Sequence, residues 1–403
     1  WSVRVLADES EVPVEPRRGW GAAIDLGTTT VVAQLVNLET GEVEGIETAL
    51  NAQSRFGADV MSRIQQELRQ PGEPGRVIRE QIAAMLARLA AGRRLEEVLL
   101  AGNTAMHHLF CGLDVSPLAS VPFLSPHLGA QRLSADALPW RAPTLFLPCL
   151  GGFVGSDLLA GLAATRLDKK RNCQVLFDIG TNGEIVCASR ESIRCASTAA
   201  GPAFEGGRIS CGMRACDGAI DSVRVEDGRL VPHVIGGGAP RGICGSGLVD
   251  AAAKALDSGL LLPNGRLPGG PVLLAGNVVL TQADIRQLQL AKGAMAAGLR
   301  MMAGEARRLL LAGAFGNYLH LGSARRIGLL PEDAEVEPVG NAALRGTRLL
   351  LLSPESREER IARILAVTEH IELAADPQFQ DLFAESMALE PLRLQNRRPG
   401  GLR

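Results

Sequence analysis

The chain has 403 residues, of which 46% are hydrophobic and only 3% aromatic, and its formal net charge is −2. This length is enough for two domains, each with its own apolar core. The small net charge excludes a global electrostatic field that would attract nucleic acid or an anionic membrane. The sequence has no apolar run of the roughly 18 residues that a membrane-spanning helix needs. We therefore expect neither a nucleic-acid nor a membrane partner.

The first part of the chain predicts a meander of three strands followed by alternating helices and strands. Residues 1–18 are rich in Pro and charge and predict a linker. Beyond them, the apolar patterns predict strands at 21–25, 31–38, 43–50, 97–101 and 144–147, and helices at 58–68, at 74–91, from 103 and at 154–167. This order predicts a mixed sheet with helices on its faces.

A similar pattern then restarts. We predict strands at 174–178, 184–189, 192–196 and 308–312, and helices at 246–257, 283–305 and 355–369. Thr281 is the expected N-cap of the helix at 283–305, and Asp284 completes a capping box. The tail from Gln395 is expected to fray. The restart predicts an α/β protein of two lobes, residues 19–172 and 173–403, and the second lobe includes the C-terminal helices.

One short motif occurs at the start of both lobes. Residues 23–30 read AIDLGTTT, and residues 176–183 read LFDIGTNG. In each copy an aspartate, Asp25 or Asp178, ends an apolar strand and is followed by x-Gly-Thr and a second strand. The copies lie about 150 residues apart, which predicts an internal duplication with one hairpin in each lobe.

This motif has the chemistry of a phosphate site. Glycine lets backbone N–H groups approach an anion, threonine hydroxyls add donors, and aspartate can hold Mg²⁺ through water or orient an attacking water. A single D-x-G-T is a common turn without function. Two copies at lobe spacing favour a clamp on a triphosphate, which here replaces the Walker A sequence that the chain lacks.

A third glycine-rich feature follows the strand at 308–312. Residues 313–316 read GAFG and precede a predicted helix. Such a loop brings backbone and a helix N-terminus close to a ligand. We expect it to face the adenosine or the α-phosphate of a nucleotide.

These features resemble the superfamily of acetate and sugar kinases, heat-shock ATPases and actin (ASKHA). The resemblance implies two lobes of the ribonuclease H (RNase H) type around a central nucleotide cleft, with ATP and Mg²⁺ as cofactors. It implies catalytic roles for Asp25, Asp178 and Glu184, and Mg²⁺ binding, mostly through water, by Asp25 and Asp178. The nucleotide-binding residues that we predict are Gly27, Thr28, Thr29, Thr30, Gly180, Thr181, Asn182, Gly183, Gly245, Gly247, Gly313, Ala314, Phe315 and Gly316.

A narrower resemblance is to the reductive activators of corrinoid proteins. The matching segments are residues 102–104 (GNT), 152–157 (GFVGSD), 178–184 (DIGTNGE), 200–206 (AGPAFEG) and 242–247 (GICGSG). This resemblance implies a slow ATPase that helps to return an inactive Co(II) corrinoid to Co(I), the form that accepts methyl groups. It also implies a corrinoid protein as partner and a homodimer.

The chain departs from this family in lacking ligands for an iron–sulfur cluster. Cys211 and Cys216 have the first spacing of a plant-type [2Fe–2S] motif, but Ala219 stands where the next ligand is needed. We therefore expect the [2Fe–2S] electron source on a missing N-terminal domain or on a separate partner, and Trp1 in place of Met favours the former. The eight scattered cysteines predict a reducing cytoplasm.

Several residues keep two interpretations at this point. Glu184 either orients water or Mg²⁺ or is a solvent-facing strand residue. Glu205 lines either the cleft or the surface that meets the corrinoid protein. Cys244 is similar to a cluster-binding cysteine of dehydratase activators, but without a second cysteine downstream a packed thiol is favoured. His107 and His108 either contact a partner or lie in the core.

Two other functions remain open from the sequence. A metabolite kinase would use an aspartate as the base toward a hydroxyl of a small acid or sugar. An actin-like switch would bind nucleotide without acting as an enzyme. The narrow motifs favour the corrinoid activator over both.

Overall fold

A computed structural model of the chain describes residues 12–57, 59–121, 123–304, 306–313 and 315–394. Most of the predicted linker, Ala314 and the tail from Gln395 lie outside these residues. Within them the chain is built around two six-stranded sheets and the helices that pack on their faces.

The first sheet has the strand order β3-β2-β1-β4-β6-β5. Its strands are β1 (Trp20–Leu26), β2 (Thr30–Asn37), β3 (Val43–Leu50), β4 (Leu95–Gly102), β5 (Gln131–Leu133) and β6 (Thr144–Phe146). The β1–β2 and β2–β3 pairs are antiparallel, whereas β4 runs parallel to β1. The helices of this part are α1 (Val60–Arg69), α2 (Glu73–Ala90), α3 (Thr104–Cys111) and α4 (Ser156–Thr165).

The second sheet is built around the hairpin of β7 (Gln174–Ile179) and β8 (Gly183–Ala188), and β9 (Ile193–Thr198) follows β8. A smaller sheet and a hairpin come next, made of β10 (Ala219–Glu226), β11 (Arg229–Val234), β12 (Gly242–Ile243), β13 (Val272–Ala275) and β14 (Val278–Leu280). The second sheet is completed by β15 (Arg308–Ala312), β16 (Glu335–Gly340) and β17 (Thr368–His370), in the order β16-β15-β7-β8-β9-β17.

The helices of the second half are α5 (Gly245–Asp257), α6 (Gln282–Met302), α7 (Leu321–Arg326), α8 (Ala342–Leu351), α9 (Pro354–Ala366) and α10 (Pro377–Glu385). Short 3-10 turns lie at Ala52–Phe56, Ser116–Leu118, Ala135–Ala137, Leu167–Lys169, Pro202–Glu205 and Ile235–Gly237. As predicted, the Thr281 side chain accepts a hydrogen bond from the Asp284 backbone while Asp284 accepts one from the Thr281 backbone, which closes the capping box of α6.

The two sheets have equivalent topology. In the order β3-β2-β1-β4-β6 and in the order β9-β8-β7-β15-β16, an antiparallel meander is extended by parallel strands on the side of its first strand. This confirms the duplicated α/β architecture that the repeated motif predicts. The boundary at residues 172 and 173 stays a prediction, because α8 from the second half also packs on β1 and β4 of the first sheet.

Successive side chains of a strand point to opposite faces of the sheet, and both faces of each sheet are covered by helices. The molecule therefore has five layers, in which three layers of helices alternate with the two sheets. Ala22 and Ile24 of β1 face an outer core beneath α1, α2 and α3, whereas Ala23 faces a central core that also contains α4, α8 and α9. In β7, Leu176 faces this central core and Phe177 faces the core of α5 and α6. The central layer of helices therefore joins the two sheets.

Close packing of α4 against α8 depends on glycine. A Cβ on Gly346 of α8 would lie 1.8 Å from the carbonyl oxygen of Ala160 in α4, and a Cβ on Gly161 would lie 2.9 Å from a methyl group of Leu176 in β7. At Gly346 the two helix backbones thus approach more closely than a side chain would allow, whereas at Gly161 the Leu176 side chain occupies the space. This contact positions the N-terminus of α8 against the first sheet.

Two further features concern the cysteines and the lengths of the helices. A disulfide joins Cys173 to Cys187 of β8, a pairing that the scattered cysteines did not predict. Among the residues that the structure describes, no helix is long and apolar enough to cross a bilayer.

Candidate functional site

The first repeated hairpin turns between β1 and β2 at residues 27–29. The Gly27 backbone N–H donates to the Thr30 carbonyl oxygen at 3.0 Å. A Cβ on Gly27 would lie 2.7 Å from that oxygen, so only glycine fits this turn. Asp25, Thr28 and Thr29 are half-buried and line the turn. The turn therefore presents a carboxylate and hydroxyl groups side by side.

The second hairpin turns between β7 and β8 at residues 180–182. The Gly180 backbone N–H donates to the Asn182 carbonyl oxygen at 3.0 Å. Gly183 is required for a different reason, because a Cβ there would lie 2.7 Å from the hydroxyl oxygen of Thr198. Asp178 and the turn residues are half-buried, like their counterparts in the first hairpin.

Glu205 connects the two hairpins. Its carboxylate accepts a hydrogen bond from the Thr29 hydroxyl at 2.9 Å and another from the Thr181 hydroxyl. Glu205 ends the 3-10 turn Pro202–Glu205, which is flanked by Gly201 and Gly206 with φ of 75° and 82°. Because one carboxylate reaches both turns, the hairpins meet at a single cleft. Of the two interpretations of Glu205, the structure supports a position in the cleft.

The aspartates of the two hairpins interact electrostatically. Burial raises the pKa of Asp178 to about 7, and the negative charge of Asp25 contributes to the rise. Burial also raises the pKa of Asp25 to about 6, although the Asn341 amide, which donates to Asp25 Oδ2 at 2.8 Å, acts in the opposite direction. Asp25 and Asp178 thus lie near one another across the cleft, as the paired motif predicts.

Two further carboxyl groups belong to the same site. Asp157 lies in the first turn of α4, and its pKa is raised by burial and by the charges of Asp178 and Asp25. Glu184 pairs with Asp178 in the β7–β8 ladder, and burial followed by the charges of the three aspartates raises its pKa well above the usual range. Glu184 is only 9% exposed, so it is not a solvent-facing strand residue. We refer to Asp25, Asp157, Asp178 and Glu184 as the acidic cluster.

Residues outside the hairpins hold this geometry in place. Asn103 is the N-cap of α3 and donates from Nδ2 to the Thr28 hydroxyl oxygen at 2.8 Å. Asn341, the partner of Asp25, is the N-cap of α8. Arg63 of α1 is completely buried; burial lowers its pKa to about 10, while the charges of Asp59 and Glu205 act to raise it. A guanidinium is still protonated at that value, so Arg63 brings a positive charge toward Glu205.

The glycine-rich loop after β15 passes directly over the second hairpin. Gly313 has a φ of 88°, and a Cβ there would lie 2.5 Å from Asp178 Oδ1. The ring of Phe315 stacks on that of Phe204 at a centroid distance of 5.0 Å. A Cβ on Gly316 would lie 2.8 Å from Leu311, so this glycine serves packing. The structure therefore brings the predicted adenosine loop beside Asp178; Ala314 lies outside the described residues.

The segment at the N-terminus of α5 is packed against protein. A Cβ on Gly245 would lie 1.9 Å from the Phe204 carbonyl oxygen, and one on Gly247 would lie 2.1 Å from the Ile220 carbonyl oxygen. Packing accounts for both glycines, and their predicted role in binding nucleotide stays a prediction. Cys244 is 3% exposed, as expected of a packed thiol.

Neither histidine of α3 is available to a protein partner. His107 and His108 are both 0% exposed. Burial lowers the pKa of His107 to about 3, and its ring packs edge-on against Phe146 at 4.9 Å. The core interpretation of these two residues is therefore correct.

The donor set suits a metal ion that is bound mainly through water and phosphate. Among the described residues, no three Asp, Glu, His or Cys side chains are grouped closely enough to hold a metal by themselves. Mg²⁺ usually keeps several waters and takes one or two carboxylates plus phosphate oxygens. Burial raises the pKa values of Asp25 and Asp178, so a cation beside them would stabilise their charged forms. Asp25 and Asp178 thus fit the predicted Mg²⁺.

Several residues of the site were not predicted from the sequence. Asp157 lies in the matched segment GFVGSD, but nothing in the spacing connected it to the hairpins. Arg63 and Asn341 have no motif, because they reach the site through α1 and α8, far away in the chain. Asn103 was part of the short match GNT. A polar residue directly before a helix that follows a strand is a signal that would have indicated it.

Comparison with known families identifies both halves of the chain. Residues 20–170 match the middle region of RACo, and residues 172–397 match the family described as the C-terminal domain of RACo, the ASKHA domain. This match confirms the ASKHA-type α/β fold predicted from the hairpins and the glycine-rich loop. The two matched segments also divide the chain between β6 and β7.

Individual relatives agree with this assignment. The chain is 34% identical to the corrinoid activation enzyme RamQ of Eubacterium limosum, over 94% of this chain and 71% of that protein. It is 28% identical to the [Co(II) methylated amine-specific corrinoid protein] reductase of Methanosarcina barkeri, over 90% of this chain and 76% of the relative.

A solved structure has the same fold. It is that of a reductive activator for corrinoid, iron–sulfur protein, and it matches this chain with a TM-score of 0.81 at 32% identity. The match covers 93% of this chain and 66% of the solved one, so this chain spans about two thirds of its length. The chain belongs to the family of reductive activators of corrinoid proteins.

Proposed function

We propose that this protein binds Mg–ATP between its two hairpins and uses ATP hydrolysis in the reductive activation of a corrinoid protein, from Co(II) to Co(I). The observation that carries the proposal is the pair of hydrogen bonds from Thr29 and Thr181 to Glu205. Through these bonds one carboxylate reaches both glycine-containing turns, one from each lobe, and this supports a shared phosphate site. The relatives named above act on corrinoid proteins, which supports the choice of partner.

Different residues of the cleft are suited to different parts of Mg–ATP. Backbone N–H groups and threonine hydroxyls of both turns suit the phosphate oxygens. The loop that contains Gly313 and Phe315 suits the adenosine, and Asp25 and Asp178 suit the waters of Mg²⁺. When bound, Mg²⁺ supplies the positive charge that neutralises phosphate oxygens during transfer.

Asp178 is suited to position the attacking water. A general base works best when its pKa lies near the working pH, and burial raises the pKa of Asp178 to about 7. The Asn341 amide bonds to Asp25, which keeps Asp25 more readily ionised. We therefore assign proton acceptance to Asp178 and a mainly electrostatic role, directed at the metal, to Asp25.

The energy that this reaction requires is within reach of such a site. Reduction of Co(II) in a corrinoid is unfavourable for ordinary cellular donors. A bias of ~10⁴ between two protein states corresponds to about 5.5 kcal/mol. In a one-electron couple each tenfold corresponds to about 59 mV, so this bias shifts a potential by roughly 240 mV. Closure of the lobes on a triphosphate supplies a bias of this kind.

The partners follow from the same proposal. The corrinoid protein is the substrate, and an iron–sulfur domain or protein supplies the electrons. The homodimer and the cytoplasmic location remain predictions.

An absorbance assay tests this function. Purified chain, Mg–ATP, a low-potential chemical reductant and a Co(II) corrinoid protein are mixed, and the conversion to Co(I) is followed. We expect conversion that requires both ATP and the chain, together with release of phosphate stimulated by the corrinoid protein. Conversion that is unaffected by omitting ATP would contradict the proposal. Transfer of phosphate to a small acid or sugar would instead identify a metabolite kinase.

A further inference from the structure

Glu205 joins the two hairpins of the cleft by hydrogen bonds that the hairpin motifs do not predict. It comes from neither hairpin, yet its two carboxylate oxygens accept from Thr29 Oγ1 and from Thr181 Oγ1, one oxygen to each. The hairpins are thus tied together by an anion that belongs to the protein. A phosphoryl group, which also offers several acceptor oxygens on one centre, has the same recognition chemistry.

We propose that Glu205 is a latch that takes the place of a phosphoryl group in the nucleotide-free protein and that the triphosphate displaces it on binding. The inference rests on the proposed nucleotide site and adds to it a residue that sets affinity. It predicts that the lobes are connected through Glu205 when nucleotide is absent and through the triphosphate when ATP is bound.

The hydroxyl groups of Thr29 and Thr181 cannot donate to Glu205 and to a phosphate at the same time. A threonine hydroxyl has a single hydrogen to donate. In this structure the hydrogens of Thr29 and Thr181 are both used by Glu205. A phosphate that takes hydrogen bonds from these hydroxyls must therefore break the bonds to Glu205. A triphosphate bound to the same hydroxyl groups would also be repelled by the negative charge of Glu205.

A nearby cation favours an anion at this position in either state. Arg63 is completely buried; burial lowers its pKa, while the charges of Asp59 and then of Glu205 act to raise it. Taking one of these two anions away from a buried guanidinium is costly, so the site favours an anion that replaces Glu205. The triphosphate satisfies this requirement when Glu205 moves away.

The backbone around Glu205 is suited to such a movement. Gly201 and Gly206 flank the turn in conformations with positive φ. On the other side of the turn, Phe204 stacks on Phe315 of the predicted adenosine loop at 5.0 Å. A single four-residue turn therefore contacts both the phosphate end and the adenosine end of the cleft, and displacement of Glu205 is transmitted to both.

Nucleotide affinity tests the latch. Glu205→Gln keeps the size of the side chain but removes its charge and one of its two acceptor oxygens. We expect this variant to bind Mg–ATP and inorganic triphosphate at least tenfold more tightly than the wild type, as measured by calorimetry. Glu191→Gln, an exposed position on the β8–β9 turn, is the matched control and should change neither affinity. Unchanged or weaker binding by Glu205→Gln would overturn the latch. A hundredfold loss of turnover at unchanged affinity would also overturn it and make Glu205 a catalytic residue.

Hydrogen exchange without nucleotide provides a second, independent measurement. We expect Glu205→Gln and Glu205→Ala to increase amide exchange in residues 27–30 and 180–183, and added Mg–ATP to restore protection. Equal exchange in the wild type and both variants would contradict the latch. If the wild type binds no Mg–ATP, the proposed function fails, and the exchange experiment still shows whether Glu205 joins the hairpins.

Discussion

The two hairpins of the cleft share a sequence motif but differ in their surroundings. Asp25 receives a hydrogen bond from the Asn341 amide, and its pKa rises only to about 6. For Asp178, burial and the charge of Asp25 raise the pKa to about 7. Gly313 of the loop after β15 lies directly against Asp178, whereas Asn103 fixes Thr28 of the first hairpin.

This difference shows how a duplicated motif acquires two roles. Both aspartates end an equivalent strand, so the motif alone predicts equal behaviour. Neighbours that come from distant parts of the chain then separate their pKa values. Pairs of acidic groups whose environments push their pKa values apart are typical of sites that divide acid and base functions. The following experiments test whether this division is real.

The largest effect is expected from removing the carboxylate of the second hairpin. Asp178→Asn should lower ATP turnover in the presence of the corrinoid protein by about 10²–10⁴-fold, because the group that accepts the proton is lost. Asp25→Asn should retain more activity and mainly raise the Mg²⁺ concentration needed for half-maximal turnover. Phosphate release across a Mg²⁺ titration measures both quantities.

A control variant identifies nonspecific effects of these substitutions. Asp136→Asn lies at an exposed position of the first lobe and should behave as the wild type. Circular dichroism should show that both cleft variants are folded. Unchanged turnover in Asp178→Asn would remove the basis for the proposed site.

A second, intermediate effect concerns the stability of the nucleotide-free protein. The pKa values of Asp25 and Asp178 are raised from 3.8 to about 6 and about 7, so between about pH 4 and pH 7 the folded state holds protons that the unfolded state has released. The free energy of unfolding should therefore fall as the pH rises through this window. Between pH 5 and pH 8 these two raised pKa values span about three units together, and one unit corresponds to about 1.4 kcal/mol, so we expect the two groups to cost roughly 4 kcal/mol of stability. Urea unfolding at both pH values measures it.

Urea unfolding of two variants at both pH values tests whether the two hairpins differ. Asp178→Asn should flatten the pH dependence more than Asp25→Asn does, because the pKa of Asp178 is raised further. Equal flattening by the two variants would show that the hairpins are equivalent, contrary to the difference in their surroundings.

The smallest effect is expected from Asn341, whose amide bonds to Asp25. Asn341→Ser keeps an acceptor for the N-cap of α8 but is too short to donate to Asp25. The pKa of Asp25 should then rise and shift the acidic limb of the pH–activity profile upward, because the hydrogen bond that lowers this pKa is lost. Asn341→Ala, which also loses the cap, should show the same pH shift together with a loss of stability. A profile that does not move would mean that Asn341 serves only as a cap.

Much of the fold was predictable from local patterns. The strands that flank both motifs, β1, β2, β7 and β8, were predicted to within one residue or two, because alternation and apolar runs reflect burial on sheet faces. The helix α6 was predicted with its capping box. The strands β5, β10–β14, β16 and β17 and the helices α8 and α10 were not predicted, since short elements with mixed polarity depend on tertiary packing more than on propensity.

Sequence alone thus determined the duplicated hairpins, the family and the two aspartates, because these depend on residues that are adjacent in the chain. Only the tertiary structure decided that Glu205, Asp157 and Asn341 join them, since α4, α8 and the Pro202–Glu205 turn reach the cleft from separate segments. The same packing set the difference between the two aspartates. The pKa of a carboxyl group depends on the charges and donors that surround it in space, and no local pattern specifies those neighbours.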